Sequence, residues 1–154
     1  MGEPARGLVL ALAICLGLTG TEAMAAPEIG QIRARLYYEK TGRLSEDIAP
    51  PSDFAAWNII IGGGSAEEPA NDLLVEVEVL TGTAPGPNLP LTITATAGGR
   101  TIARRTIVST LVEANGRSWH PILLPNIGCA GRLRVVATLG KASKTLDLAF
   151  PCGE

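Results

Sequence analysis

Leu73-Leu74-Val75-Glu76-Val77-Glu78-Val79-Leu80 carries the clearest structural pattern in the chain. Leu73, Val75, Val77 and Val79 alternate with Leu74, Glu76, Glu78 and Leu80. Successive side chains of an extended chain point to opposite faces, so a period of two gathers the first set on one side of a sheet and both glutamates on the other. Valine is β-branched and packs well on a pleated surface, which reinforces the strand reading.

The same period recurs on both sides of this run. Upstream, Ile32, Ala34, Leu36 and Tyr38 alternate with Arg33, Arg35, Tyr37 and Glu39, before a turn at Thr41-Gly42-Arg43. Downstream, Leu91, Ile93 and Ala95 alternate with Thr92, Thr94 and Thr96, and Gly98-Gly99 suits a tight hairpin turn into a second arm, Thr101–Ser109. In that arm Ile102 and Ile107 differ in parity. The arm therefore either bulges near Arg104-Arg105 or is buried differently at its two ends.

Asn115-Gly116 marks the next turn, and Pro121 places the run Ser118–Leu124 at an edge or a bend. Leu133, Val135, Ala137 and Leu139 form one arm of a terminal hairpin; Leu146, Leu148 and Phe150 form the other, across a turn over Gly140–Lys144. Phe54–Ile61 reads as a buried strand, or as a short helix over Phe54–Trp57 capped by Ser52 or Asp53. Seven or eight short strands predict an all-β, antiparallel β-sandwich; a small closed barrel is the alternative.

Length and composition fit one such domain. The chain has 154 residues, 18 glycines and 11 prolines, a balance suited to many turns. Thirteen Lys and Arg oppose fifteen Asp and Glu, and aromatics are only 4%. This leaves neither the basic field nor the stacking platforms that nucleic acid demands, so no nucleic-acid partner is expected.

Residues 1–25 read as a cleavable export signal: Arg6 near the start, an apolar run from Leu8 to Leu18, and Ala23-Met24-Ala25 as a cleavage site. The run is too short for a membrane span, which needs about 20 residues. The expected mature domain is 26–154, periplasmic or secreted, with no transmembrane segment. Cys15 falls inside the apolar run, and the bulky Ile14 before it departs from a lipidation signal.

Export leaves Cys129 and Cys152, an even pair in an oxidising space, and a disulfide is expected between them. A hairpin turning about residue 142 sets position 132 across from Cys152, with Cys129 close by between Gly128 and Gly131. One histidine and no Cys-x-x-Cys spacing argue against a structural zinc site.

Few residues point to chemistry. His120, the single histidine, is flanked by Trp119 and Pro121, and no Gly-x-Ser-x-Gly elbow accompanies it. Gly62-Gly63-Gly64-Ser65 is followed by Glu67, Glu68 and Pro69, whose charge would repel a phosphate. Glu67, Glu68, Asn71 and Asp72 are weak calcium candidates without a standard spacing. Carboxylates such as Glu46 and Asp47 lack a sugar cleft for hydrolysis. Arg104, Arg105 and Trp119 are of the residue types that anchor protein interfaces.

With its export signal, its Leu73–Leu80 pattern and its terminal Cys129…Cys152 hairpin, the chain resembles small bacterial envelope proteins with immunoglobulin-like sandwiches, over most of residues 30–152. Antibody domains set a tryptophan between their two cysteines, whereas Trp57 here precedes both. The resemblance is one of architecture; because no catalytic or metal motif stands out, the expected function is a non-catalytic module, without cofactors, that contacts an envelope protein or a surface polymer through a sheet face or edge strand. The alternatives are a calcium- or carbohydrate-binding module and a small hydrolase.

Overall fold

The alternating runs become strands in a computed structural model, which describes residues 27–49, 66–81, 88–110 and 116–151. The expected signal, Phe54–Ile61, the Gly62–Gly64 triplet, Asn115 and Cys152 lie outside the described residues. The described chain is all-β. Its strands are β1 (Glu28–Tyr38), β2 (Arg43–Leu44), β3 (Asp72–Leu80), β4 (Leu91–Ala97), β5 (Arg100–Ile107), β6 (Arg117–Leu124), β7 (Gly131–Leu139) and β8 (Ala142–Phe150).

They form two four-stranded antiparallel sheets, ordered β2-β1-β3-β6 and β5-β4-β7-β8. The sheets pack face to face as a β-sandwich rather than joining into a barrel. The chain crosses between sheets after β3, β5 and β6, so each sheet mixes early and late strands.

The inward residues are those the alternation selects. Leu73, Val75, Val77 and Val79 are all 0% exposed, and Leu91, Ile93, Ala95, Leu133, Val135 and Ala137 match them. Ile32, Ala34, Leu36, Tyr38, Leu146, Leu148 and Phe150 belong to the same core, with Leu124, Ile127 and Leu139 among its other members. Each Val or Leu buried this way contributes roughly 1.5–3 kcal/mol before chain entropy is set against it.

Two details depart from the sequence reading. The terminal turn is not Gly140–Lys144 but the pair Gly140-Lys141, because β8 starts at Ala142, opposite Leu139. Gly140 has φ +58° while Lys141 keeps a negative φ, the combination of a type II′ turn with glycine first. The β5 irregularity lies at Ile102 rather than at Arg104-Arg105: Thr96 faces Thr101 and Ala95 faces Ala103, leaving Ile102 as the extra residue. Ile102 is 45% exposed, so its apolar character did not report the buried face.

Candidate functional site

Each sheet has two edges, and three of the four are blocked by identifiable chemistry. Beyond β1, the two-residue β2 covers Tyr37 and Tyr38. The segment after β2 then caps the strand with side chains as well as backbone. Asp47 Oδ1 accepts from Ala34 N at 2.9 Å, and Ser45 Oγ accepts from Leu36 N at 2.9 Å. Ser45 N and Ile48 N donate to the carbonyls of Leu36 and Ala34.

The edges of β5 and β6 meet at one mouth of the sandwich. β5 carries the Ile102 bulge, and β6 carries Pro121 opposite Glu76. Arg105, opposite the buried Ile93, reaches across and donates from Nη1 to the carbonyl of Pro121. That carbonyl therefore points away from β3. In an antiparallel strand a residue's N and C=O share a direction, so the missing N–H of Pro121 belongs to the outer edge. Bulges, inward charges and edge prolines all discourage a further strand.

His120 sits just inside this mouth, 8% exposed, with Ser118 Oγ 3.0 Å from Nε2. Burial, and then the nearby Arg105 guanidinium, hold the imidazole below its ordinary range. A serine nucleophile needs a histidine that becomes imidazolium, oriented by an acid. Here the neighbour is a cation, and among the described residues Ser118 is the side chain bonded to the ring.

The fourth edge, β8, faces β1 across the other mouth. A two-residue hairpin closes on a hydrogen-bonded pair, and such pairs alternate along an antiparallel ladder. From Leu139↔Ala142 onward, the pairs Ala137↔Lys144, Val135↔Leu146 and Leu133↔Leu148 bond into β7. Ser143, Thr145, Asp147 and Ala149 consequently turn their N–H and C=O outward. β8 shows no register shift against β7, and among the described residues no strand pairs with its outer side.

Beside that edge lies a groove of about 430 Å³, lined by Gln31, Ile32, Asp47, Ala49, Lys144, Thr145 and Leu146. Lys144 crosses the mouth to donate from Nζ to the carbonyl of Gly30. The β1 wall is shaped by a register shift between Ile29 and Ile32, where Gln31 N donates to Glu78 Oε2 at 2.8 Å. Glu78 is 4% exposed and is neutralised by Arg117, 2.8 Å away. Gly30 packs so closely on Glu78 that a Cβ there would strike the carboxylate.

The three sequence-selected contact residues separate. Trp119 is half-buried on the outer face of the first sheet, under Arg33, whose guanidinium lies 4.0 Å from the ring centroid. Arg105 bridges the β5/β6 mouth. Arg104, opposite the half-buried Thr94, belongs to the outer face of the second sheet. That face carries a row of hydroxyls, Thr106, Thr92, Thr138 and Ser143, one on each strand.

The calcium candidates have other partners. Arg43 pairs with Glu67 at 3.2 Å and Glu68 at 3.1 Å; Asp72 Oδ1 accepts from Asn126 N, and the Asn71 carbonyl accepts from Ile127 N. Among the described residues no group of three or more His, Cys, Asp and Glu is placed to hold a metal ion. Nor does any helix there have the length and apolarity to cross a membrane. Cys129 is exposed ahead of β7, and no disulfide forms among the described residues.

Sequence reasoning missed the groove, the Ser45 and Asp47 caps, and the Glu78 seat under Gly30. The one local signal was Gly30 at the head of an alternating run. No protein-family model matches the chain, and no curated protein matches it either.

Proposed function

We propose that the chain is an exported, non-catalytic module of the bacterial cell envelope, which holds another envelope protein by main-chain pairing at β8. The observation that carries this reading is the inequality of the four edges. Three are capped, bulged or interrupted by proline, while β8 offers regular outward N–H and C=O groups from Ser143 to Ala149. An unpaired regular edge is a template for an incoming strand.

The strand order supports an immunoglobulin-like arrangement: β1, β3 and β6 take the places of strands A, B and E, facing β5, β4, β7 and β8 as C′, C, F and G. A non-catalytic role is supported by the cation that disfavours a charged His120. Export is supported by the signal pattern in residues 1–25. The Cys129–Cys152 disulfide belongs to this reading as well. Gly131 pairs with Phe150, and the two cysteines lie two residues beyond that pair in either direction along the sequence.

A photo-crosslinking residue at position 149, compared with one at position 104, tests the reading in the native envelope fraction. Capture from 149 that Thr145→Pro abolishes is the expected result. Equal capture from both positions, or capture that survives Thr145→Pro, contradicts it.

A further inference from the structure

We infer that the groove between β8 and β1 takes an extended segment of a partner protein that is apolar on its inward face and carries a carboxylate to meet Lys144. The inference rests on the edge-pairing reading above and adds the chemistry of the occupant. A strand laid along β8 continues the second sheet, so its alternate side chains enter the space between the sheets. There they meet Ile32, Ala49 and Leu146, the apolar part of the groove lining. The volume of about 430 Å³ lies within the roughly 300–1,000 Å³ of sites that enclose ligand groups.

Charge selects further. Three carboxylates near this edge already have partners, Glu78 through Gln31 N and Arg117. Asp47 Oδ1 accepts from Ala34 N and Ala49 N, and Asp147 takes the Arg134 fork at 2.8 and 3.0 Å. The cations are not matched in the same way. Lys144 rests on a backbone carbonyl, and among the described residues every ion pair uses an arginine, so neither Lys141 nor Lys144 meets a carboxylate. Lys144 is therefore the cation of this groove that has no carboxylate partner, set beside an apolar floor, and an acidic residue on the incoming strand can replace the carbonyl that Lys144 holds.

The test uses the mature protein and two capped decapeptides alternating Val and Thr. One inward Val is replaced by Glu in the first peptide and by Lys in the second. Amide shifts report where each binds. The expected result is perturbation at residues 143–149 and at Ile32 and Ala49, with the Glu peptide roughly threefold tighter, as exposed ion pairs allow. Lys144→Glu should reverse that preference without loss of fold, since Lys144 is exposed.

Equal binding of both peptides at β8 overturns the charge selection and leaves edge pairing standing. The absence of any perturbation along β8, with either peptide, overturns both. Concentration-dependent dimerisation that perturbs β8 without peptide overturns the inferred occupant in favour of a second copy of the chain.

Discussion

The two mouths of the sandwich share a plan and differ in how tightly they are shut. At each, a cation from the second sheet crosses to a backbone carbonyl of the first: Arg105 to Pro121, and Lys144 to Gly30. At the β5/β6 mouth the crossing is made by a planar guanidinium beside a buried imidazole, flanked by a bulge and a proline. At the β8/β1 mouth it is made by an ammonium on a flexible stem, and a groove remains beside a regular edge. Arginine's fork is pre-organised, whereas lysine is a mobile point charge that exchanges partners easily. Residues near an edge thus decide whether a sheet ends or stays available.

The largest expected effect separates the two sides of β8. Leu146→Pro removes an N–H that bonds into β7 together with a buried side chain, and should cost about 3–5 kcal/mol in denaturant unfolding. Thr145→Pro removes only an outward N–H and should change stability by about 1 kcal/mol or less. Equal losses would mean that the assigned parity of β8 is wrong.

At the closed mouth, Arg105→Met removes the bond to Pro121 and should lower stability by about 1 kcal/mol. It should also speed hydrogen exchange in β5 and β6. Lys144→Met, at the open mouth, should leave both quantities nearly unchanged. A Lys144→Met loss as large as that of Arg105→Met would erase the distinction.

The smallest effect is a pH dependence confined to the closed mouth. His120 has its folded value lowered, first by burial and then by Arg105. Its contribution to stability is therefore fully present above the unfolded value, near pH 6.5, and is lost as pH falls through the folded value. Melting temperature should drop more steeply with acid in the wild type than in His120→Gln. In Arg105→Met the drop should be smaller and complete at a higher pH, because one cause of the lowering is gone and the folded value moves back toward the unfolded one. Parallel profiles for all three proteins would remove His120 from the account.

The fold was legible because the sandwich core is made by period-two alternation, and no long-range knowledge is needed to read Val75, Val77 and Val79 as one face. Register was less legible. Ala142-Ser143-Lys144, with no large apolar side chain, looks like part of a turn until Gly140 and Lys141 are known to close it alone. The site was not legible, since it depends on which strands become neighbours. Nothing local in Gly30, Asp47 or Lys144 tells that they share a mouth, and Arg105 and Pro121 lie sixteen positions apart. Trp119 reads from the sequence as an interface anchor, and nothing local shows that the cation over it, Arg33, comes from a strand two places away in the sheet.

Whether the outer side of β8 is open can be read from amide hydrogen exchange along that strand in the isolated protein. Protection should alternate, slow at Leu146 and Leu148 and fast at Thr145, Asp147 and Ala149. Uniform slow exchange from Ser143 to Ala149 would mean that the outer side of β8 is already paired, and the account of an open edge would be wrong.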